Sequence, residues 1–181
     1  MPTPDLRLRR ATADDAAAIG RVQYDTWRGS YRGLVADALL DGLDPLRWER
    51  LAARSLAAVE PARIAHVAEL GGELVGHVSA GRERSGTLRE YPGEIYAIYV
   101  RDAYQGRHIG RRLMRAAAAD LVERGLIPIM LWTLFDNPRS RGFYESLGGA
   151  VIGEKREMFE GHELHEVGYG WRDPAPLLAA G

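Results

Sequence analysis

The sequence predicts a single domain of the mixed α/β (α+β) class, with elements in the order β-α-α-(α)-β-β-β-α-β-α-β-β. Short segments rich in Ile, Val and Tyr, some with alternating apolar residues, are typical of strands. Between them lie longer segments with helical spacing of apolar residues, which begin at capping residues and end at glycines. No linker-like or repeated segment interrupts the 181 residues. We therefore assign residues 1–172 to one domain and expect residues 173–181 to form a frayed tail.

The N-terminal part predicts one strand followed by three helices. In "DLRLRRAT" two leucines alternate with polar residues, as in a strand with one buried face. Thr12 and Asp15 resemble a capping box, which predicts that a helix begins there and ends near the glycines of "RGSYRG". A second helical stretch covers roughly residues 35–40. Asp44 followed by Pro45 predicts the capped start of a third helix.

The remaining elements alternate between strands and helices. Two apolar runs flank the glycine pair at 71–72, which predicts a β-hairpin. "GEIYAIYV" at 93–100 is predicted to be a strand because it is rich in Ile, Tyr and Val. A helix is predicted from about 109 to 124, followed by the strand "LIPIMLWTL", a short helix in "DNPRSRGFYESLGG" and two strands joined around Gly161.

The composition excludes several functions. The formal net charge of −1 is a poor match for sequence-independent nucleic-acid binding, which usually needs a basic surface. The absence of cysteine excludes disulfides, thiolate metal sites and a cysteine nucleophile. The N-terminal segment lacks the apolar core of a signal peptide, and no apolar run approaches the ~20 residues of a membrane span. We therefore expect a cytoplasmic protein with no nucleic-acid or membrane partner.

The segment "AYQGRHIGRRLM", residues 103–114, joins a predicted strand to a predicted helix. A helix that begins near His108 leaves several N–H groups without partners, and its dipole favours an anion. The glycines allow a ligand to approach the backbone, and the arginines suit phosphate oxygens. The alternative is the plain start of a helix with solvated arginines. The dinucleotide fingerprint G-x-G-x-x-G and the Walker pattern are both absent, which disfavours those two nucleotide-binding classes.

The segments on either side make this stretch resemble part of a known family. "YQGRHIGRRLM" is similar to the acyl-CoA-binding signature Q/R-x-x-G-x-G/A of the GCN5-related N-acetyltransferase (GNAT) superfamily, with Gln105 first and Gly110 last. "GEIYAIYV" resembles the family's central strand, and "DNPRSRGFYESLGG" resembles its second signature. His108 stands where the family usually has a glycine, and Gly149 replaces a bulkier residue. The resemblance covers about residues 93–149.

The resemblance implies a single N-acetyltransferase domain with a central mixed, mostly antiparallel sheet. It implies transfer of acetyl from acetyl-CoA, the cosubstrate, to a primary amine directly within a ternary complex, with no metal. The pyrophosphate would lie on backbone N–H groups of about residues 105–111, and the pantetheine arm along the edge of the central strand. The cofactor-binding residues implied in this way are Ile98, Tyr99, Val100, Gln105, Gly106, Arg107, His108, Ile109, Gly110, Arg111, Asn137 and Tyr144.

Two residues are candidates for proton transfer. Glu94, at the start of the central strand, matches a family carboxylate and is the candidate general base; the alternatives are a solvated carboxylate or one paired with an arginine. Tyr144 matches the family tyrosine that faces the thioester sulfur and is the candidate acid; the alternative is a core aromatic. Asn137 matches a residue that bonds the pantetheine arm or caps the following helix, and both roles stay open.

The substrate-binding candidates are three aromatic residues, Trp27, Tyr31 and Tyr96, whose faces can hold a cationic amine. The alternative for the first two is packing between helices. His77 is expected to be a core histidine, and the pair in "HELH" lacks the further ligands of a metal site. The expected acceptor is a small-molecule or protein amine, and a homodimer is common in the family. Two other functions stay open: a non-catalytic acetyl-CoA sensor or interaction module, and a nucleotide-binding module.

Overall fold

The computed structural model describes residues 5–58, 63–86 and 88–179. A single sheet runs through these residues, and its strands are β1 (Leu6–Arg10), β2 (Ile64–Leu70), β3 (Glu73–Arg82), β4 (Gly93–Val100), β5 (Ile129–Leu134), β6 (Ala150–Phe159) and β7 (His162–Trp171). Their order across the sheet is β1-β2-β3-β4-β5-β7-β6. Neighbouring strands are antiparallel except β4 and β5, which are parallel. The predicted mixed, mostly antiparallel sheet is confirmed.

Helices cover both faces of the sheet. They are α1 (Ala16–Ser30), α2 (Asp37–Asp41), α3 (Pro45–Ala57), α4 (Ile109–Glu123), α5 (Pro138–Ser146) and α6 (Ala175–Leu178). Helices α1 and α3 pack on β2 and β3 through Val67 and Leu74, whereas α4 packs on the opposite face through the next residues, Ala68 and Val75. Among the described residues, no helix combines the length and the apolar character that crossing a membrane requires.

Polar side chains cap the turn that precedes α1 and the start of α3. The Thr12 N–H donates to Asp15 Oδ2 at 2.7 Å, which forms the predicted capping box. One turn of 3-10 helix, Ala13–Asp15, separates this box from α1. The Leu46 N–H donates to Asp44 Oδ1 at 3.0 Å, which is the predicted cap of α3.

The C-terminal segment differs from the expected frayed tail. It forms α6, and the Leu177 side chain is fully buried in the cluster that contains Leu113 and Leu121 of α4. Burial of a leucine stabilises a fold by about 1.5–3 kcal/mol, which is enough to hold a single helical turn in place. The described part of this tail, up to residue 179, therefore belongs to the domain.

Strands β4 and β5 separate within the sheet. Their parallel pairing ends at Ile95 and Leu131, although β4 continues to Val100. The pairing of β3 with β4 shifts register at the same level and skips Tyr96, which is a β-bulge. The edge of β4 beyond the last pair therefore faces an opening instead of a neighbouring strand.

Candidate active site

A cavity of about 760 Å³ lies where β4 and β5 separate. Its walls come from the end of α1, the strands around the opening, the start of α4 and the start of α5. The sequence-predicted residues that line it are Trp27, Tyr31, Glu94, Tyr96, Ile98, Tyr99, Val100, Gln105, Gly106, His108, Ile109, Gly110, Arg111, Asn137 and Tyr144. Arg107 is not part of the lining; its guanidinium lies 5.5 Å from the centroid of the Tyr104 ring. The fold thus brings all of the dispersed candidates except Arg107 into one site.

One end of the cavity is the N-terminus of α4. The first hydrogen bond within this helix joins the Arg112 N–H to the His108 carbonyl oxygen at 3.1 Å. The three N–H groups that precede Arg112 in the helix therefore have no intrahelical acceptor. Arg111 lines the cavity beside them, half-buried, and its Nη2 donates to Ser146 Oγ at 2.8 Å. This end suits a phosphate because the helix dipole, the N–H groups and the Arg111 guanidinium all attract an anion.

His108 has a left-handed backbone conformation, with φ 60° and ψ 6°. This conformation costs an L-residue with a side chain roughly 1–2 kcal/mol and costs glycine nothing. The backbone therefore follows a path that suits the glycine usual at this position, although the residue is histidine. Two residues later the space favours a small residue, because a Cβ on Gly110 would lie 3.2 Å from Phe143 Cζ, which would have to shift by a few tenths of an ångström.

The edge of β4 lies along the middle of the cavity. The Arg101 N–H donates to the Val75 carbonyl oxygen of β3 at 2.9 Å. Because main-chain groups alternate along a strand, those of Val100 and Ile98 point the other way, toward the opening. The Val100 carbonyl oxygen accepts from Gln105 Nε2 at 2.8 Å. This edge can accept an extended, amide-bearing chain by strand addition.

Glu94 lies in the cavity wall, with only 6% of its side chain exposed. Arg84 holds both carboxylate oxygens: Nη2 donates to Oε1 at 2.8 Å, and the Arg84 backbone N–H donates to Oε2 at 2.9 Å. The same guanidinium lies 4.0 Å from the centroid of the Tyr96 ring. The structure therefore shows the arginine pairing that was one alternative for Glu94, at a position that also borders the cavity.

Tyr144 is buried on α5 and borders the cavity. Burial, with a smaller contribution from Tyr99, raises the pKa of its phenol well above the ordinary value. The phenol is therefore protonated at neutral pH and can donate its proton. Its ring centroid also lies 5.8 Å from that of Tyr169 and 6.3 Å from that of Trp171. Tyr144 therefore packs in the core and also borders the cavity.

Asn137 is the N-cap of α5. Its Oδ1 accepts from the Ser140 N–H at 3.1 Å, and the residue is buried in the cavity wall. The capping role that the sequence left open is therefore present. Its other predicted role, a contact with the pantetheine arm, stays a prediction.

Trp27 packs in an aromatic cluster at the other end of the cavity. Its ring centroid lies 4.8 Å from that of Tyr31, 5.4 Å from that of Trp48 and 5.0 Å from that of Phe159. Its Nε1 donates to Tyr99 Oη at 3.0 Å. The packing expected as the alternative for Trp27 is thus present, and the same side chain still borders the cavity.

Sequence reasoning missed a charged group on the face of the sheet that lines this end. Lys155 Nζ lies 3.1 Å from Glu166 Oε2 and 4.8 Å from the centroid of the Trp132 ring, and it also pairs with Glu157. Two signals pointed to this group: Lys155 is the only lysine in the 181 residues, and alternation along a strand places residues 155 and 157 on one face. The pairing of Lys155 with Glu166 across two strands, however, appears only in the fold.

The histidines do not form a metal site in the part of the chain that the structure describes, where no three His, Cys, Asp or Glu residues group in a way that could hold an ion. His165 lies 2.9 Å from Glu154 Oε2 and stacks on Phe135. His77 is buried in β3, as expected, but its Nε2 has no hydrogen-bond partner among the described residues. Burial lowers the pKa of His77 to about 4.

The fold and the site define a class of protein. It is a mixed α/β domain in which a separated strand pair and a helix N-terminus form one cavity whose two ends suit an extended chain and an anion. The sequence profile of the acetyltransferase (GNAT) family matches residues 24–149. The chain belongs to this family and is a GNAT-type N-acetyltransferase.

One curated relative supports this assignment along most of the chain, and two solved structures share its fold. The uncharacterized N-acetyltransferase YuaI of Bacillus subtilis (strain 168) is 31% identical over 171 residues, which cover 94% of this chain and 95% of the relative. The PaiA N-acetyltransferase from Thermoplasma acidophilum, solved with coenzyme A, has a TM-score of 0.71 at 14% identity, over 90% of this chain and 98% of that one. YncA from Salmonella typhimurium, solved with acetyl-CoA, has a TM-score of 0.68 at 21% identity, over 92% and 93%.

Proposed function

We propose that this chain transfers acetyl from acetyl-CoA to a primary amine by direct attack within a ternary complex. The observation that carries the proposal is the single cavity that joins the α4 N-terminus, the open edge of β4 and the Tyr144 phenol. The α4 N-terminus suits phosphates, and the edge of β4 suits an extended chain with amide groups. The Tyr144 phenol suits a thioester at the end of such a chain, because its sulfur needs a proton when it leaves.

The reaction requires two proton movements at this site. Acetyl-CoA supplies an activated thioester, while an alkylammonium, with a pKa near 10.4, is neutral in only about one molecule in 2,500 at pH 7. Glu94 is the predicted base, acting through a water because Arg84 already holds both of its oxygens. Tyr144 gives its proton to the sulfur as the nitrogen–carbon bond forms and the carbon–sulfur bond breaks, and the phenolate then takes the remaining excess proton from the amide nitrogen.

The first test measures release of the CoA thiol against a panel of amines. Tyr144→Phe is expected to lower kcat by about 100-fold or more, because general acid catalysis contributes about 10²–10⁴-fold. Calorimetry should show that this variant still binds acetyl-CoA. Tyr24→Phe, which changes a tyrosine of α1 outside the cavity lining, is the matched control and should keep its rate. Binding of acetyl-CoA without turnover of any amine would instead favour a sensor, and tighter binding of ATP or NAD would favour a nucleotide-binding module.

The second test separates the two roles of Glu94. Glu94→Gln removes the predicted base and the ion pair together, whereas Arg84→Gln removes the ion pair and leaves the carboxylate. A catalytic Glu94 predicts a fall in kcat of about 100-fold for Glu94→Gln and a much smaller fall for Arg84→Gln. If both variants lose stability equally and neither loses kcat at a permissive temperature, Glu94 is a structural residue.

The predicted acceptor is an amine of a small molecule or of a protein, and the amine panel should contain both kinds. The predicted homodimer and the predicted cytoplasmic location are part of the same proposal. Light scattering of the purified chain tests the first, and cell fractionation tests the second.

A further inference from the structure

We propose that Glu166 binds the ammonium group of the acceptor, which makes the acceptor a cationic alkylamine. This inference rests on the proposed amine acetyltransferase activity and names the group that recognises its substrate. It assigns the recognition to a carboxylate on β7, away from the segments that carry the family signatures.

The position of Glu166 supports this role. Glu166 lines the cavity, with 19% of its side chain exposed. It pairs across the sheet with Leu134 of β5, three residues beyond Leu131, where the pairing of β5 with β4 ends. Glu166 therefore lies beside the part of β5 that has separated from β4, so β5 stands between Glu166 and the open edge of β4.

The groups around Glu166 suit an ammonium ion. Burial raises the pKa of the Tyr31 phenol well above its ordinary value, and the negative charge of Glu166 adds to that shift. Burial and the same carboxylate raise the pKa of Tyr99. The carboxylate and the two phenols line the same cavity, and the negative charge of Glu166 contributes to the rise in both pKa values. A carboxylate in a cavity that aromatic side chains also line combines the two features that bind alkylammonium ions, an opposite charge and π faces.

Lys155 shows that this carboxylate accepts an alkylammonium. Its Nζ, the ammonium of the only lysine in the chain, lies 3.1 Å from Glu166 Oε2. A carboxylate has two oxygens with about four lone-pair positions, so one lysine does not saturate it. Lys155 also pairs with Glu157, which shares its charge between two carboxylates. The acceptor would take the remaining lone-pair positions of Glu166 within the cavity that Tyr31 and Tyr99 also line.

Glu94, the other largely buried carboxylate that borders the cavity, is less suited to this role. Three donors of Arg84 hold its two oxygens: the backbone N–H, Nε and Nη2. An ammonium that approached Glu94 would meet the guanidinium charge at the same contact distance. Glu166 has no arginine partner in the described residues, and its lysine partner has a second carboxylate.

The experiment compares a charged acceptor with a neutral isostere on the intact chain. The KM of the fastest alkylamine of the panel is measured, together with the inhibition constant of the alcohol that carries a hydroxyl in place of the amine. In Glu166→Gln the KM of the amine should rise by about 10- to 100-fold, the loss expected for a charged hydrogen bond. The inhibition constant of the alcohol and the KM of acetyl-CoA should change by less than about threefold.

Two further variants separate recognition of the acceptor from effects on Lys155. Glu157→Gln removes the other, more exposed partner of Lys155 and should leave the KM of the amine within about threefold. Glu166→Asp keeps the charge and should recover much of the preference for the amine over the alcohol. The inference is overturned if Glu166→Gln weakens amine and alcohol equally, if Glu157→Gln has the same effect, or if the KM of the amine does not change. If the unmodified chain acetylates no amine, the proposed function fails first and this inference fails with it.

Discussion

At the N-cap of α4, His108 has a φ of 60°, at which glycine has no steric penalty. His108→Gly removes a strain of about 1–2 kcal/mol but adds about 0.5–1 kcal/mol of entropy cost, because glycine gives the unfolded chain more freedom. We expect a net gain of about 0.5–1 kcal/mol in the free energy of unfolding, measured by urea denaturation. The control His108→Ala keeps the strained φ without the imidazole and should not gain stability.

The same pair of variants reports on the imidazole. If the imidazole makes no contact with the ligand, His108→Gly should bind acetyl-CoA as tightly as the unmodified chain or more tightly in calorimetry. Equal losses of affinity in the glycine and alanine variants would instead make the histidine a ligand contact. The sequence identified this position because a histidine interrupts a glycine pattern. It could not give the φ value, which depends on how the loop joins β4 to α4.

The sequence was least informative about which side chains pair with one another. Glu94 could be proposed as a carboxylate of the site, but its pairing with Arg84 depends on where the β3–β4 loop returns to the sheet. The same holds for Tyr31 and Tyr99, which lie far apart in the sequence and interact in one cavity. Such pairs come from tertiary packing and have no local pattern that would reveal them.

At the scale of elements, the α4 N-terminus carries a prediction about phosphate. Arg111 lines the cavity, whereas its neighbour Arg112 is exposed and does not. Arg111→Glu should weaken binding of acetyl-CoA by about tenfold or more, because it replaces a phosphate-binding cation with an anion. A pantetheine analogue without phosphates should bind almost unchanged. Calorimetry with both ligands checks this.

Two controls belong to the Arg111 experiment. Arg112→Glu makes the same charge change one residue away. It should lower the affinity for acetyl-CoA less, because it changes only the charge near the helix N-terminus. Arg107 was predicted from the sequence to bind the cofactor, and this stays a prediction; its guanidinium lies 5.5 Å from the centroid of the ring of Tyr104, which lines the cavity. Arg107→Glu tests that prediction: a loss of acetyl-CoA affinity like that of Arg111→Glu would support it, and a loss as small as that of the Arg112 control would oppose it. Equal losses for acetyl-CoA and the phosphate-free analogue would show that Arg111 does not face phosphates.

The strands β6 and β7 show what the alternation of residues along a strand cannot predict. Both were predicted as strands joined around Gly161, and both are present. Their alternation fixes which residues share a face, but it does not decide which of the two faces borders the cavity. That depends on the antiparallel pairing of β7 with β5, a contact between residues 32 to 42 positions apart in the sequence. The charged group of Lys155 and Glu166 was therefore missed although both elements were found.

At the scale of the whole molecule, the sequence predicted the order of elements, since periodicity and turn residues act locally. The mostly antiparallel character of the sheet was implied by the resemblance to the GNAT superfamily. It did not predict the separation of β4 from β5, because this depends on a bulge and on the crossover through α4. It also missed α6, whose sequence is too short to show a helical period. The burial of Leu177 against α4 is what orders that turn.

The buried neutral histidine in β3 predicts how the whole domain responds to acid. The His77 ring lies 5.6 Å from that of Tyr99, its Nε2 lacks a partner in the described residues, and burial lowers its pKa to about 4 from an ordinary 6.5. Above pH 6.5 the histidine is neutral in both folded and unfolded chains and contributes no pH dependence. Between about pH 6.5 and 4 the unfolded chain takes up a proton that the folded chain does not, so stability falls as the pH falls.

The size of this effect follows from the pKa difference of about 2.5, which corresponds to roughly 3 kcal/mol of stability lost between pH 7 and pH 4. His77→Leu removes the titrating group and replaces it with an apolar side chain of similar size. Urea denaturation of both chains across this range should show the unmodified chain losing roughly 3 kcal/mol more than the variant. Every other titrating group is common to the two chains, so their difference isolates His77. Parallel curves would mean that His77 titrates alike in the folded and unfolded chains, because water or another group reaches its Nε2.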